Sequence, residues 1–151
     1  MVLLNKHLEQ VKEFHEVFEH PISETIVDLN TVSDELKNLR INLIQEELNE
    51  LKEALSKNDI VGVADALTDL QYVLDGAYLV FGLHKHAELL SDEVHSSNMS
   101  KLGEDGKPIK REDGKIMKGK NFREPNLKEV LKYATIEAEE QEINKIFGYN
   151  K

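Results

Sequence analysis

The chain has no cysteine among its 151 residues. This absence excludes a disulfide framework and any metal site built from thiolates. No apolar run reaches the length of a signal peptide or of a membrane-spanning helix, so we expect a cytoplasmic protein with no membrane partner. At this length we also expect a single domain that covers residues 1–151.

Positive charge is scarce as well. The sequence has 19 Lys and Arg residues against 29 Asp and Glu, which gives a formal net charge of −10 at pH 7. A general nucleic-acid binder needs a basic surface to meet phosphates, so we expect no nucleic-acid partner. An acidic chain can still bind a phosphorylated small molecule if divalent cations stand between the two sets of negative charge.

Apolar residues recur at spacings of three and four along most of the chain, which predicts an all-α antiparallel bundle of about five helices. The predicted helices cover residues 2–19, 34–56, 60–81, 86–101 and 126–146. Thr31 or Ser33 is expected to cap the second helix, and Gly82 to end the third. Asn126, with Glu129 three residues later, forms a capping pair at the start of the last helix.

The stretch from residue 101 to residue 123 differs from the rest of the chain in composition. It carries eight Lys or Arg residues against four Asp or Glu, and it contains two Asp-Gly pairs. The second pair, Asp113-Gly114, predicts a hairpin with a type I′ turn. We therefore expect a short, hairpin-like basic loop before the last helix. A solvated, mobile loop is the alternative interpretation.

The second predicted helix places carboxylates on its apolar side. At about 100° per residue, Glu47 and Glu50 fall inside the apolar arc of IQEELNELKEAL, and Glu46 falls at its edge. Burial of an unpaired carboxylate is costly, and three such groups so close together repel one another. A divalent cation would answer both problems. Taken alone, however, a run of this kind is more often a solvated helix face.

The next predicted helix supplies a counterpart. Asp65 and Asp69 share one face of this helix, and Gly62 and Gly76 lie seven residues on either side of Asp69. Small residues at these positions would let another helix or a ligand approach the carboxylate. Helices joined by a short link are usually antiparallel neighbours, so we expect the glutamates to face Asp69 across a gap. Oxygen ligands alone select hard ions, with Mg²⁺ first and Mn²⁺ as a substitute.

These residues resemble a known superfamily. EELNE on one helix, followed by ADALTDLQYVLDGA on the next, is similar to the all-α nucleoside triphosphate pyrophosphohydrolases. That superfamily includes MazG-like proteins, dimeric dUTPases and phosphoribosyl-ATP pyrophosphohydrolase. The segments FHEVFEHPI, EVHSSNMSKL and REDGKIMKGKNFREPNL also resemble MazG-like members. The resemblance therefore covers nearly the whole chain.

The resemblance implies a metal site at particular positions. The residues that correspond to the metal ligands are Glu46, Glu47, Glu50 and Asp69. The second motif is usually written Glu-x-x-Asp, but three residues before Asp69 this chain has Ala66. Either Asp65 replaces the missing glutamate, or the site holds its metal with fewer protein ligands. Glu47 is the most central carboxylate on the apolar face, and we expect it to orient or deprotonate the attacking water.

The resemblance also implies substrate-binding residues and a reaction. The substrate-binding positions are Asn98, Lys101, Lys118, Lys120, Phe14 and His15. The first four would lie near the triphosphate, and the last two near the base. The implied reaction is Mg²⁺-dependent hydrolysis of a nucleoside triphosphate to the nucleoside monophosphate and pyrophosphate. The expected substrate is a deoxynucleotide such as dUTP or a non-canonical one.

A non-enzymatic interpretation stays open, in which an acidic helical dimer binds a partner protein and the glutamates are surface charge. Pyrophosphate release that needs Mg²⁺ and stops with a chelator would separate the two interpretations. In either case the third helix is apolar nearly all round, which predicts a homodimer or a dimer of dimers with a shared bundle. Unfolding that depends on protein concentration would reveal such an interface, and an active monomer would exclude it.

Overall fold

The computed structural model describes residues 5–147, with the side chain of residue 147 excepted. Its five α-helices confirm the all-α prediction, and they belong to two compact units that divide after Lys85. The helices are α1 (Lys6–Val17), α2 (Asp34–Ser56), α3 (Ile60–Val80), α4 (Ala87–Met99) and α5 (Leu127–Phe147). The single-domain assignment stays a prediction. The predicted start of the first helix at residue 2 lies outside the described residues.

The first three helices begin at capping residues. The side chains of Asn5, Ser33 and Asp59 each accept a hydrogen bond from a backbone N–H in the first turn of α1, α2 and α3 respectively. Ser33, rather than Thr31, is therefore the cap of α2. Thr31 instead ends a single-turn 3₁₀ helix, Leu29–Thr31. A side-chain cap of this kind stabilises a helix by about 1 kcal/mol.

α3 is the central helix of the first unit, because both α1 and α2 pack against it. The apolar residues buried in this unit are Leu8, Val11, Ala54, Ala66, Leu79 and Val80. Burial of each Leu or Val side chain stabilises the fold by about 1.5–3 kcal/mol. α3 therefore presents one stripe of residues to α2 and another to α1, and these two stripes carry the polar groups of the candidate site.

The connector between α1 and α2 folds against the end of α3. Ser23 donates from its N–H to the carbonyl oxygen of Leu79 (2.9 Å) and from its hydroxyl to that of Val80 (2.7 Å). Gly82 ends α3 with a φ of +70°, as predicted. A Cβ atom at Gly82 would lie only 1.8 Å from the carbonyl oxygen of Thr25. Glycine is therefore required here both by the backbone angle and by the close approach.

In the second unit α4 packs against α5, and the basic segment connects them. This segment contains the expected hairpin-like loop, with an antiparallel bridge between Lys110 and Ile116. The predicted type I′ turn is wrong, since that turn needs a positive φ at both Asp113 and Gly114. Gly114 has a φ of +83°, whereas Asp113 is not among the described non-glycine residues with positive φ.

The observed turn is shifted back by one residue. The N–H of Gly114 donates to the carbonyl oxygen of Arg111 (2.9 Å), so Glu112 and Asp113 are its central residues and Gly114 follows in the left-handed region. The Asp113 carboxylate explains the shift. It accepts hydrogen bonds from the Lys115 N–H (3.1 Å) and from Arg111 Nε (2.9 Å), which stabilise a three-residue loop.

The start of α5 follows the capping prediction in part. Asn126 Oδ1 accepts a hydrogen bond from the Glu129 N–H at 3.4 Å, as expected of a cap. The return bond of a capping box is replaced, because the Asn126 N–H donates to Glu93 Oε1 on α4 (2.6 Å). The carboxylate that satisfies this backbone group thus comes from a neighbouring helix.

No helix of the described residues is both long and apolar enough to cross a membrane. Large apolar side chains stay exposed on the first unit, where Ile60 and Val61 are each 76% exposed. The homodimer that would cover such residues stays a prediction, as does the cytoplasmic location.

Candidate active site

Two glycines set the register of α2 against α3. A Cβ atom on Gly62 would lie 3.0 Å from the Cβ of Ala54, and one on Gly76 would lie 3.0 Å from Nη1 of Arg40. The two helices therefore approach closely at two points that are fourteen residues, or about four turns, apart on each helix.

This register brings two of the predicted site residues opposite each other. Glu47 lies midway between the two contact residues of α2, and Asp69 lies midway between the two glycines of α3. Because the helices are antiparallel neighbours, the midpoints of the two stretches face each other. The glycines on either side of Asp69 thus let α2 approach α3 closely at Ala54 and Arg40.

Glu47 is the least solvated carboxylate in this region. Its Oε2 atom is buried and has no hydrogen-bond partner among the described residues. Burial raises the pKa of Glu47 above its ordinary value, and the negative charges of Glu50, Asp69, Glu46 and Asp65 raise it further. The other four predicted carboxylates therefore all act electrostatically on Glu47. We refer to these five residues as the carboxylate cluster.

The carboxylate cluster is not arranged as a finished metal site. Within residues 5–147 no three His, Asp or Glu side chains are placed to hold a metal ion. Apart from Glu47, the members of the cluster are exposed, and mutual repulsion favours rotamers that point apart. The predicted convergence at metal-ligand distances is therefore absent from these side-chain positions. The assignment of individual ligands stays a prediction.

The chemistry of the cluster nevertheless fits a hard divalent cation. All five groups offer carboxylate oxygens, the ligand type that Mg²⁺ and Mn²⁺ prefer. The buried Oε2 of Glu47 lacks a donor, and a buried acceptor without a partner is unfavourable by about 1–3 kcal/mol. A cation at this atom would remove that penalty and the repulsion among the five charges.

A cavity of about 840 Å³ lies between α1 and α3. Phe14 on α1, Phe18 directly after its end and Tyr72 on α3 form part of its wall. The ring of Phe14 stacks on that of Phe18 at 4.4 Å between centroids and meets that of Tyr72 edge to face at 5.6 Å. The predicted base-binding residue Phe14 thus lies in the wall of a cavity large enough for a nucleobase, although its role stays a prediction.

Another part of the cavity wall is polar. Asp75 lines the cavity and is only 5% exposed. Its Oδ1 accepts a hydrogen bond from Gln71 Nε2 at 3.0 Å, while its Oδ2 is buried and has no partner among the described residues. Burial raises the pKa of the Asp75 carboxyl, and the Gln71 hydrogen bond and the charge of His7 offset part of that rise.

His15, the second residue predicted to lie near the base, is not in the described lining of this cavity. Its side chain is buried, and Nδ1 donates to the carbonyl oxygen of Pro21 at 2.9 Å. Burial lowers the pKa of His15, and the neighbouring Arg40 lowers it further. His15 Nε2 lies near the space above Gly76, where Arg40 Nη1 also lies.

The other predicted substrate-binding residues lie in the second unit. The Lys101 ammonium donates to Asn98 Oδ1 at 2.7 Å, so these two residues are neighbours. Lys118 and Lys120 are exposed, and they pair with Glu124 and Glu104 at 2.6 and 3.2 Å respectively. Exposed pairs of this kind are weak and can exchange for a phosphate. The substrate-binding role of these residues stays a prediction.

The serines of the SNMSK segment have a structural function. The Ser97 hydroxyl donates to the carbonyl oxygen of Arg123 (2.9 Å), and the N–H of Arg123 donates to the Ser100 hydroxyl (3.0 Å). The Arg123 guanidinium also pairs with Glu93 at 2.6 Å. These bonds attach the end of the basic segment to α4.

Two polar residues of the first unit were not predicted from the sequence. Asp75 could have been found as the lone carboxylate in LQYVLDGAYLV, an otherwise almost apolar stretch. Arg40 could have been found because it lies seven residues before Glu47 on the same stripe of α2. Arg40 is 4% exposed, and its Nε atom is buried without a hydrogen-bond partner in the described part of the chain.

The chain matches one family model, which is described as phosphoribosyl-ATP pyrophosphohydrolase. The match covers residues 11–98. That range contains all of α2 and α3 and therefore the whole carboxylate cluster. The match confirms the superfamily resemblance drawn from the two motifs.

Two individual proteins are also similar to this chain. An uncharacterised protein of Acanthamoeba polyphaga mimivirus, L479, is 35% identical over 79 residues, which are 50% of this chain and 31% of the viral protein. The chain thus spans about a third of the length of that relative. A crystal structure of a protein from Exiguobacterium sp. 255-15, provisionally named an NTP pyrophosphohydrolase, is 26% identical. It aligns over 93% of this chain and 99% of its own, with a TM-score of 0.47.

Proposed function

The chain belongs to the phosphoribosyl-ATP pyrophosphohydrolase family, and we propose that it is a pyrophosphohydrolase that converts a deoxynucleoside triphosphate to the monophosphate and pyrophosphate with the help of Mg²⁺. The observation that supports this proposal most is Glu47. Its buried, unpartnered oxygen lies on the stripe of α2 that faces Asp69, and burial, together with the negative charges of the cluster, raises its pKa.

The carboxylates of the cluster have two tasks in the proposed reaction, and Glu47 takes part in both. Glu46, Glu47, Glu50 and Asp69, with Asp65 in place of the missing glutamate, would hold Mg²⁺, which when bound offsets the charge of the phosphates and polarises the attacking water. Glu47 accepts the proton of that water, and its raised pKa makes it a better base than an ordinary carboxylate. The water attacks the α-phosphorus, and pyrophosphate leaves.

The α1–α3 cavity is the proposed site for the base. Phe14 and Tyr72 offer aromatic surface to a planar ring, and α3 carries both Tyr72 and, three residues earlier, Asp69. Three residues advance a helix by about 4.5 Å, so a base in the cavity and phosphates at the cluster are within the reach of one nucleotide.

The test is a nucleotide panel with identification of the products. The panel contains the common ribonucleoside and deoxyribonucleoside triphosphates, dUTP, a modified deoxynucleotide and phosphoribosyl-ATP. We expect monophosphate and pyrophosphate to form with Mg²⁺, more slowly with Mn²⁺, and not at all with excess chelator. Formation of diphosphate and phosphate, or release that ignores the chelator, would contradict the proposal. If no nucleotide releases pyrophosphate, the result would favour the non-enzymatic interpretation, in which the helical dimer binds a partner protein.

We also propose that Lys101 and Lys118 bind the phosphates. Replacement of both by Ala should raise KM or lower kcat by about tenfold or more, because two cations that offset the phosphate charge are lost. Steady-state kinetics with the best substrate of the panel measures the change.

The matched control for these lysines is the double variant Lys110→Ala and Lys115→Ala. It removes the same charge from exposed positions of the same segment. If the lysines act only through the general field of the segment, the two double variants will be impaired equally. If the segment is merely a solvated loop, neither will differ from the wild type.

A further inference from the structure

We propose that Asp75, positioned by Gln71, makes the α1–α3 cavity select a base with an exocyclic amino group, cytosine or adenine, over uracil or thymine. The selection acts on the substrate of the proposed function and therefore rests on it. It replaces the expectation of dUTP drawn from the sequence resemblance with a class of substrate that follows from the chemistry of the cavity.

The position of Asp75 suits a residue that contacts the edge of a base. Asp75 follows Asp69 by six residues on α3, which separates them by about 9 Å along the helix axis and by about 120° around it. Tyr72 lies between them in the sequence and contributes to the cavity wall together with Phe14. A base that lies against these rings would have its sugar and phosphates toward Asp69 and its far edge toward Asp75.

The existing hydrogen bonds of Asp75 determine which edge of a base its carboxylate can bind. Gln71 Nε2 donates to Oδ1 at 3.0 Å and so fixes the orientation of the carboxylate. Oδ2 is buried and has no donor among the described residues, so it is an acceptor whose partner must come from elsewhere. The amino groups of cytosine and adenine are donors, and a carboxylate is a known acceptor for the cytosine amino group.

Uracil and thymine offer the opposite chemistry at the same position. Each has a carbonyl oxygen where cytosine has its amino group, and two acceptors that face each other repel. Glu13 adds a second carboxylate to the cavity wall, and the described lining residues include no Lys or Arg that would attract a carbonyl oxygen. A site that leaves buried polar groups unpaired with the wrong ligand discriminates strongly against it.

The experiment compares kcat/KM for dCTP, dATP, dUTP and dTTP in the wild type and in Asp75→Asn. We expect the wild type to favour dCTP or dATP over dUTP and dTTP by about tenfold or more. Asp75→Asn has nearly the same shape but presents an amide that can donate. It should therefore reduce the ratio of kcat/KM for dCTP to that for dUTP at least fivefold, chiefly by raising kcat/KM for dUTP. A residue with only a structural role would lower all four rates together and leave the ratio unchanged.

The control variant is Glu13→Gln, which removes one negative charge from the same cavity wall without touching the Asp75–Gln71 pair. Its ratio of dCTP to dUTP should stay within about twofold of the wild type. A wild-type ratio near one, a preference for dUTP or dTTP, or an unchanged ratio in Asp75→Asn would overturn the inference. An equal change of the dCTP-to-dUTP ratio in Glu13→Gln would also overturn it, because the selection would then come from the overall negative charge of the cavity wall.

The proposed function and this inference fail in different ways. If no nucleotide is hydrolysed, the proposed function is wrong. In that case calorimetry measures the dissociation constants of dCMP and dUMP, and their ratio tests the base selection. If Asp75→Asn does not fold, as judged by thermal unfolding, the wild-type ratio decides alone. A tenfold preference for the amino-bearing base supports the inference, and its absence rejects it.

Discussion

Replacement of Glu47 by Gln should abolish catalysis and at the same time stabilise the metal-free protein. We expect pyrophosphate release to fall by about 10³-fold or more, because the variant loses both a metal-binding oxygen and the group that accepts the proton of the water. The gain in stability follows from the neutral amide, which carries no charge into a site that four other carboxylates surround. Active-site residues often reduce stability in this way.

The pH dependence of stability gives this prediction a second measurement. The pKa of Glu47 is raised in the folded protein, so the proton is bound more tightly there than in the unfolded chain. The metal-free wild type should therefore be favoured at low pH and lose this contribution as the pH rises through the raised pKa, above the ordinary value of 4.5. Glu47→Gln should lack that loss, so its midpoint should exceed that of the wild type by about 2–4 °C at neutral pH.

Metal binding and a matched variant complete the test. Mg²⁺ should raise the unfolding temperature of the wild type by mass action, and it should do so less in Glu47→Gln. The control is Glu53→Gln on the same helix, where Glu53 is exposed and pairs with Lys57 one turn later. This control should keep wild-type turnover and gain no stability. Wild-type turnover in Glu47→Gln, or a lower midpoint without metal, would remove Glu47 from the proposed roles.

Replacement of Gly82 by Ala should be the most damaging single change to the fold of the first unit. The backbone at Gly82 has a φ of +70°, and an added Cβ would lie 1.8 Å from the carbonyl oxygen of Thr25. That oxygen is part of the backbone and cannot rotate away, so the connector must move off the end of α3. We expect a loss of about 3 kcal/mol or more in the free energy of unfolding.

Gly106 offers a matched control for this substitution. Its φ of +72° is nearly the same, but an added Cβ there would meet nothing within 4 Å. Gly106→Ala should therefore cost only the backbone strain of the left-handed region, about 1 kcal/mol. Urea unfolding of both variants measures the difference. Equal losses in the two variants would mean that the Thr25 contact contributes nothing.

Much of the fold could be predicted because its signals are local. The spacing of apolar residues located the helices. The side chains of Ser33 and Asp59 cap the starts of α2 and α3, and Gly82 ends α3 because it has no side chain and adopts a positive φ. The errors were also local. The Asp113-Gly114 pair predicted a type I′ turn, but the hydrogen bonds of the Asp113 carboxylate favour a longer loop with Gly114 after the turn.

The candidate site could be predicted only in part. The position of Glu47 inside the apolar arc of α2 and the glycines around Asp69 suggested that α2 and α3 bring these carboxylates together. The register of the two helices is consistent with this expectation. The sequence did not indicate that Asp75 lines a cavity with one oxygen unpartnered. It also did not indicate that His15 turns to Pro21, since a ring nitrogen finds its acceptor only after α1 and the connector have folded.

By itself, the amino-acid sequence determined the helical class, the helix ends and the set of carboxylates, because periodicity, caps and motif spacing act over a few neighbouring residues. The tertiary structure alone decided which of these groups lose their water. Glu47 and Asp75 belong to the same residue classes as the exposed Glu53 and Asp65. Their pKa values are raised, and one oxygen of each is left without a partner, because α3 packs closely against α2 on one side and α1 on the other. Burial depends on residues distant in the sequence, and burial gives these two carboxylates their chemistry.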